Sequence, residues 1–241
     1  MSIPLGILAA RPMVSAGWTP ADLAGLHCWY AADEIAGLSD TDAVSSWPDL
    51  SPNGFTLTTD PAGGPATYRT GIRDGKPVVR FDGVNDTLSA VNILEGITTY
   101  EITAVLAVTG GAAIAVPISN QRFVSSRTGG AMILNAARTR GMYSPGSYAT
   151  YTGGTYTNGT WERWAFASNA TLYVNGSSVQ TAAAAGTGGT LLLGGATSTS
   201  GTRVLQFPTP MDVAEVVVTD AVLSAPDRAT LDTYLADKWG L

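Results

Sequence analysis

A chain of 241 residues is long enough for one large β domain or two small ones. Its formal net charge of −6 argues against nucleic-acid binding, because a phosphate backbone attracts clustered positive charge. The single cysteine, Cys28, excludes an intramolecular disulfide and a cysteine-based zinc cluster. Twenty-eight glycines and a charged fraction of 13% are typical of a turn-rich β protein rather than a helical or disordered one.

Residues 1–17 are predicted to form an N-terminal assembly arm. No basic residue precedes Arg11, and Pro4 and Gly6 interrupt the apolar run, so the segment matches neither a secretory signal nor a membrane span, and we expect no membrane insertion. An extended arm in the groove of a neighbouring subunit would keep its large side chains from water. The side chains expected to anchor it are Ile3, Leu5, Ile7, Leu8, Met13 and Val14. The alternative is an arm that packs on its own domain.

After the arm, the sequence predicts a one-turn helix and then a strand. Thr19 is a suitable cap, Pro20 suits the first helical position, and an alternating run begins at Leu26. The single histidine, His27, lies beside Cys28, which suggests a nucleophile and its base. Because neighbouring side chains of a strand point to opposite faces, we expect both residues to be structural instead.

The centre of the chain predicts a β meander. Residues 160–166 alternate between two faces after the turn signal Asn158-Gly159, and residues 171–174 form the next strand. Asn175-Gly176 is typical of a type I′ hairpin turn, and a further strand follows at 177–179. We therefore predict three successive antiparallel strands.

The C-terminal part predicts one strand followed by one helix. Residues 212–218 are rich in valine, and Ser224 with Pro226 is typical of a helix start, which Gly240 then ends. Apolar residues recur at helical spacing and give this helix one face that must dock on a sheet. They are Leu231, Tyr234, Leu235 and Trp239. No linker divides the chain, so we predict a single domain over residues 18–241 behind the arm.

Six segments together carry a family resemblance. In chain order they read WPDLSPNG, GKPVVRFDGVNDTL, NGTWERWAF, LYVNG, LLLGG and DVAEVVVTDAVLSAPDRATLDTYLADKWG. From about Trp18 to the C-terminus this order resembles laminin-G-like, concanavalin A-like jelly rolls. The terminal L-x-x-Y-L-x-x-K-W-G helix is similar to one common in bacteriophage structural proteins and bacterial surface proteins. The resemblance implies an all-β, two-sheet antiparallel jelly-roll sandwich with a short C-terminal helix.

The second of these segments contains a cluster of oxygen-bearing side chains. Laminin-G-like domains often bind calcium, which takes six to eight oxygen ligands, and Asp82, Asn85 and Asp86 are the candidates. In the phage-type relatives the same segment serves as a turn, where Asp and Asn accept hydrogen bonds from nearby amides and Gly83 adopts positive φ. We favour the turn and expect no cofactor, with calcium as the alternative.

A long segment without acidic residues separates Glu101 from Glu162. It contains arginines and tyrosines among glycines, serines and threonines, a composition suited to contact with a glycan or a protein. The candidates are Arg122, Arg127, Arg138, Arg140, Tyr143, Tyr148, Tyr151 and Tyr156. The alternative is a set of ordinary exposed loops and strand faces.

Catalysis has little support in the sequence. Glycoside hydrolases with lectin-type jelly rolls carry paired carboxylates as E-x-D-x-x-E on one strand, and this chain lacks that pattern. Asp212 and Glu215 are three residues apart, so in a regular strand they would face opposite sides. We therefore predict that the protein is not an enzyme.

Three functions from different classes remain. The leading prediction is a bacteriophage virion structural protein, a minor tail or head-decoration component on the virion exterior, whose partners are other virion proteins or copies of itself. The alternative is a carbohydrate-binding adhesion module of a bacterial cell-surface or secreted protein, with a cell-surface glycan as its partner. A glycoside hydrolase is the third hypothesis.

Overall fold

The computed structural model describes residues 17–110, 114–121, 130–143, 151–181, 189–197 and 205–241. In chain order, the strands are β1 (Leu26–Ala31), β2 (Ala43–Val44), β3 (Ser46–Trp47), β4 (Leu57–Thr59), β5 (Ala66–Arg73), β6 (Lys76–Asp82), β7 (Leu88–Ala90), β8 (Glu101–Val108), β9 (Ala115–Gln121), β10 (Gly130–Leu134), β11 (Arg140–Tyr143), β12 (Glu162–Ala167), β13 (Thr171–Val174), β14 (Ser177–Thr181), β15 (Thr190–Leu193), β16 (Ala196–Thr197), β17 (Leu205–Gln206) and β18 (Pro210–Thr219). The helix α1 covers Ala225–Trp239, and 3-10 turns cover Pro20–Asp22 and Ala32–Glu34.

The strands form two packed sheets and a ribbon. The nine-stranded sheet has the order β14-β13-β12-β8-β18-β6-β5-β2, and its ninth strand, β1, pairs with β18. The seven-stranded sheet has the order β11-β10-β9-β15-β7-β4-β3, while β16 and β17 form the ribbon. The named strands pair in antiparallel fashion, which confirms the predicted all-β, two-sheet antiparallel jelly-roll sandwich with a C-terminal helix.

The main core lies between the two sheets. Along each strand, alternate side chains enter it, as the two-residue period of a strand requires. Its largest fully buried members include Tyr30, Trp47, Trp164 and Phe166. Cys28 also belongs to this core, whereas the neighbouring ring of His27 is hydrogen-bonded to the carbonyl oxygen of Ile93. The predicted structural roles of His27 and Cys28 are confirmed.

Helix α1 covers the outer face of the nine-stranded sheet. Its predicted start is confirmed, because the Ser224 hydroxyl accepts a hydrogen bond from the Asp227 N–H, and Gly240 ends the helix at φ 63°. Leu231, Leu235 and Trp239 are buried in a second apolar cluster against this sheet. Of the four residues predicted for this face, Tyr234 is only half-buried. No helix in the described part of the chain is long and apolar enough to cross a membrane.

The predicted three-stranded meander is also confirmed. β12, β13 and β14 pair in succession, and the turn between β13 and β14 has positive φ at Asn175 (49°) and Gly176 (79°).

One detail of β18 differs from the expectation. A bulge shifts the register between Val213 and Glu215, so Val213 and Val216 both enter the main core. Asp212 and Glu215 consequently lie on the same outer face of the sheet, and the expectation that they face opposite sides is wrong. A bulge of this kind depends on the neighbouring strand and leaves no pattern in the sequence.

Candidate functional site

The Asp82–Asp86 segment forms the predicted turn between β6 and β7. Oδ1 of Asp82 accepts hydrogen bonds from the backbone N–H groups of Val84 at 2.7 Å, Asn85 at 3.2 Å and Asp86 at 3.4 Å. Oδ2 of Asp86 accepts a hydrogen bond from the Asp82 N–H at 2.9 Å. The two carboxylates therefore supply hydrogen-bond acceptors for backbone N–H groups that have no partner strand in the turn.

Gly83 completes this turn because no other residue fits there. Its φ is 75°, and a Cβ atom at this position would lie 2.3 Å from Cδ of Pro210. The Asp82 and Asp86 carboxylates and the Asn85 N–H thus take part in the hydrogen bonds of this turn. Within the described ranges, no group of three or more His, Cys, Asp and Glu residues is arranged to hold a metal ion.

Two residues predicted for a ligand surface instead form a buried cluster. Arg140 is 8% exposed and Tyr156 is 2% exposed. The Arg140 guanidinium binds both carboxylate oxygens of Glu162 and lies 5.4 Å from the centre of the Tyr156 ring. The Tyr156 hydroxyl donates to the carbonyl oxygen of Thr160 at 2.6 Å and accepts the Val108 N–H at 2.7 Å. Burial raises the pKa of this hydroxyl. For these two residues the surface prediction is wrong, because their polar groups are used inside the protein.

Of the other residues predicted for a ligand surface, the structure describes the side chains of Arg138 and Tyr151. Arg138 is half-buried in a turn, and Tyr151 is half-buried on the outer side of the seven-stranded sheet, against a small cluster that includes Val116, Ala131 and Ile133. Tyr143 ends β11, but its side chain lies outside the described residues, as do Arg122, Arg127 and Tyr148. The arm residues Ile3, Leu5, Ile7, Leu8, Met13 and Val14 also lie outside them, so the assembly arm stays a prediction.

The strongest candidate for ligand contact was missed by sequence reasoning. Phe207 follows β17 and is 42% exposed, with a φ of 53° in the left-handed region. A bulky residue is rarely found there, and the residue before a proline prefers an extended backbone, so Phe207 before Pro208 is doubly unusual. The only local signal is the alternating Pro208 and Pro210, which indicates a loop but not an exposed ring.

Hydrogen bonds to a buried residue hold Phe207 in this conformation. The Thr209 hydroxyl donates to the Phe207 carbonyl oxygen at 3.0 Å and accepts the Val116 N–H at 2.7 Å. The Thr209 N–H donates to the Gly194 carbonyl oxygen at 2.9 Å, and Thr209 is fully buried. The loop is therefore tied to two other parts of the sandwich, which presents the aromatic ring from a rigid support.

Phe207 belongs to an exposed apolar group at one end of the sandwich. Pro210 pairs with Asp82, so the chain before Pro210 and the chain after Asp82 leave the nine-stranded sheet together. Val84, in the turn after β6, is 72% exposed, and Ile114, before β9, is 36% exposed. We call residues 82–86, Ile114 and residues 207–210 the Phe207 rim.

The buried carboxylates of the nine-stranded sheet are engaged in ion pairs. Arg228 binds Glu101 through two nitrogens at 2.9 and 2.6 Å, and Arg80 binds Asp212 at 2.6 and 2.7 Å. Glu215 contacts the Lys238 ammonium at 3.0 Å. These ion pairs join strands to each other or to α1, so the buried charged residues have a structural role.

Comparison with known proteins finds similarity in structure only. No protein-family model matches the chain, and no curated protein matches it. A Trypanosoma rangeli sialidase in complex with sialic acid matches with a TM-score of 0.64 and 12% identity, over 90% of this chain and 34% of that one. A mutant of the same sialidase that displays trans-sialidase activity matches with a TM-score of 0.63 and 13% identity, over 89% of this chain and 33% of that one. The chain thus spans about a third of the length of these sialidases, and the likeness shows a shared fold.

These matches correct the leading functional prediction. The two structures reported above are of a sialidase, and neither points to a bacteriophage particle. The prediction of a virion structural protein is therefore wrong, and virion partners and a place on the virion exterior find no support in the matches. It depended on the apolar N-terminal segment and on the resemblance of the C-terminal helix, and the helix reports how it packs on a sheet rather than what the domain binds.

Proposed function

We propose that this chain is a non-catalytic carbohydrate-binding module whose ligand site is the Phe207 rim. The observation that carries the proposal is the exposed Phe207 ring, held at a φ of 53° by the buried Thr209. Strained backbone conformations cluster at ligand sites, so an exposed aromatic ring on such a residue is a candidate for ligand contact. An aromatic face binds the C–H face of a sugar ring by burying apolar surface while the sugar hydroxyls stay in water.

The fold supports this proposal. The sialidase that it resembles was solved with sialic acid bound, so the likeness is to a protein that handles a sugar. Because the chain spans only 34% of that protein, the activity of the whole sialidase is not assigned to it. A binding module is the simpler function for a sandwich of this size, because binding needs an apolar contact surface with a few placed polar groups but no catalytic residues.

The buried polar groups support a non-catalytic role. Some sialidases use a tyrosine nucleophile, and Tyr156 shares the Arg140 guanidinium with Glu162. However, the Tyr156 hydroxyl is hydrogen-bonded to the backbone of Val108 and Thr160 and is closed off from substrate. Asp212 and Glu215 share a face of β18, but Arg80 and Lys238 neutralise them.

A binding experiment tests the proposal directly. The purified chain is titrated against a broad panel of oligosaccharides, and each dissociation constant is measured by calorimetry. We expect binding to at least one sugar of the panel, and Phe207→Ala should weaken it about tenfold, which corresponds to about 1.4 kcal/mol. Val91→Ala is the matched control, because Val91 is also exposed (56%) but follows β7 at the end away from the rim.

Two results would contradict the proposal in different ways. If no sugar of the panel binds, the carbohydrate-binding function is wrong. If the chain releases fluorophore from a fluorogenic sialoside, and the rate scales with protein concentration, the non-catalytic role is wrong. An equal loss of affinity in Phe207→Ala and Val91→Ala would show that the ligand site is not the Phe207 rim.

A further inference from the structure

We infer that the Phe207 rim selects a neutral sugar residue and disfavours a terminal sialic acid. The inference rests on the proposed function and names the ligand class of the same site. The inferred ligand preference would differ from the ligand of the sialidase that shares this fold, which was solved with sialic acid bound.

The charges of the rim carry the inference. The ionisable side chains of its residues are Asp82 and Asp86, and its other members are Gly83, Val84, Asn85, Ile114 and residues 207–210, which carry no charge. Asp82 is exposed, whereas Asp86 is buried beneath the turn. A carboxylated sugar that approached this rim would meet the exposed Asp82 carboxylate, and Arg80, the described cation two residues earlier on β6, is already bound by Asp212 at 2.6 and 2.7 Å. Carboxylate recognition in proteins usually requires an arginine or lysine donor, because charge-assisted hydrogen bonds supply the affinity.

The geometry brings the exposed carboxylate within reach of a sugar that stacks on the ring. Pro210 is paired with Asp82 across the sheet, which places their Cα atoms about 5 Å apart. Phe207 precedes Pro210 by three residues, a separation of at most about 10 Å along the chain. The Cα atoms of Phe207 and Asp82 therefore lie within about 15 Å of each other, a distance that a short oligosaccharide bound on the Phe207 ring can span. Sugar hydroxyls are hydrogen-bond donors, and a carboxylate is an acceptor, so a neutral sugar fits both ends of this arrangement.

One substitution removes the charge and keeps the turn. Oδ1 of Asp82 accepts the three turn N–H groups, and an asparagine carbonyl oxygen at the same place can also accept them, although a neutral acceptor binds them less strongly than a carboxylate. Asp82→Asn should therefore keep the turn and lower the melting temperature only slightly, while the rim loses its exposed negative charge. Asp40→Asn is a matched control, because Asp40 is an exposed carboxylate that pairs with Arg69, outside the rim.

The test uses matched pairs of probes. Each oligosaccharide, such as lactose, is compared with the same oligosaccharide carrying a terminal sialic acid, such as 3′-sialyllactose, by calorimetry at low ionic strength. We expect the wild-type chain to bind the neutral member at least about threefold more tightly. Asp82→Asn should reduce this preference, and added salt should reduce it too, because screening weakens charge repulsion. Asp40→Asn should preserve it.

The possible results distinguish a failure of the neutral-sugar inference from a failure of the proposed carbohydrate binding. Tighter binding of the sialylated member, or a preference that Asp82→Asn leaves unchanged, overturns the neutral-sugar inference while carbohydrate binding stands. Binding that Phe207→Ala leaves intact overturns the inference as well, because the sugar then lies elsewhere. Binding of neither member of any pair overturns the proposed function, and the inference with it.

Discussion

The indole N–H of Trp239 donates to Oε2 of Glu215 at 2.7 Å, which joins the last turn of α1 to the middle of β18. Trp29 donates its indole N–H to the other oxygen of Glu215, also at 2.7 Å. Glu215 is fully buried, and the Lys238 ammonium lies 3.0 Å from Oε2. The helix is thus held to the sheet by apolar packing and by one satisfied buried carboxylate, so the two contributions can be separated by mutation.

We expect Trp239→Phe to lower the free energy of unfolding by about 1–3 kcal/mol, because it keeps most of the ring and removes one donor from a buried carboxylate. Trp239→Ala also opens a cavity and should cost about 3–5 kcal/mol. Urea unfolding followed by circular dichroism measures both. Equal effects of the two variants would show that the lost hydrogen bond to Glu215 accounts for the whole cost and the cavity adds nothing, whereas an unchanged stability of Trp239→Phe would show that this hydrogen bond contributes nothing beyond packing.

The buried pair of Arg140 and Glu162 gives a second prediction. Arg140→Met leaves Glu162 without its cation and should cost about 3–5 kcal/mol of unfolding free energy. The double variant Arg140→Met/Glu162→Gln should recover much of this loss, because the uncompensated charge is gone. Denaturant melts of the two single variants and the double variant form a cycle that measures the coupling. A loss of sugar affinity without a loss of stability would instead return Arg140 to the surface role predicted from sequence.

These residues show how far sequence reasoning reaches. The helix face of Leu231, Leu235 and Trp239 and the Asn175-Gly176 turn were predicted correctly, because helical spacing and turn chemistry are local. The role of Arg140 was predicted wrongly, because its partner Glu162 is distant in the chain and pairs with it only in the folded sandwich.

The candidate site was harder to predict than the fold. The Asp82–Asp86 turn was foreseen, since Asp and Asn near glycine are typical turn residues. The conformation of Phe207 was not, because it depends on the buried Thr209 and on Val116, which lies 93 residues earlier than Thr209 in the chain. Long-range contacts of this kind leave no periodic pattern in the sequence.

Gly83 and Gly75 make a matched pair for testing the turn. Both have positive φ, 75° and 73°, but a Cβ at Gly83 would lie 2.3 Å from Pro210, whereas a Cβ at Gly75 meets nothing within 4 Å. Gly75→Ala should therefore cost only the conformational strain of about 1–2 kcal/mol. Gly83→Ala should cost about 1–3 kcal/mol more, because Pro210 must move. Thermal melts of both variants check this, and equal costs would show that the Pro210 contact relaxes freely.

Calcium should not stabilise the protein. Oδ1 of Asp82 and Oδ2 of Asp86 accept N–H groups of their own turn, so these oxygens are already engaged. A ligand that binds only the native state at a hundredfold excess over its dissociation constant adds about 2.7 kcal/mol, which a melt detects easily. We expect the same melting temperature with millimolar calcium and with a chelator. A clear drop on chelation would make Asp82, Asn85 and Asp86 calcium ligands after all.

The titration of Asp86 gives the last prediction. Burial raises the pKa of this carboxyl, and the nearby charge of Asp82 raises it further, although the N–H of Asp82 opposes the shift. The folded pKa therefore lies above the unfolded value near 3.8, and between these two values the native state holds a proton that the unfolded state has lost. The contribution of Asp86 to stability is present below the unfolded pKa and is lost as pH rises through the folded pKa.

Asp86→Asn isolates this contribution, because asparagine keeps an oxygen acceptor for the Asp82 N–H and does not titrate. As pH rises from the unfolded to the folded pKa of Asp86, the wild-type chain should lose unfolding free energy relative to Asp86→Asn. The difference in unfolding free energy between the two proteins should level off above the folded pKa. Urea melts of both proteins from about pH 3 to 7 measure the difference, and NMR of the carboxyl carbon gives the pKa directly. A difference that stays constant with pH would mean that the N–H contact at Asp86 cancels the effects of burial and of the Asp82 charge, and a difference that moves in the opposite direction would mean that it outweighs them.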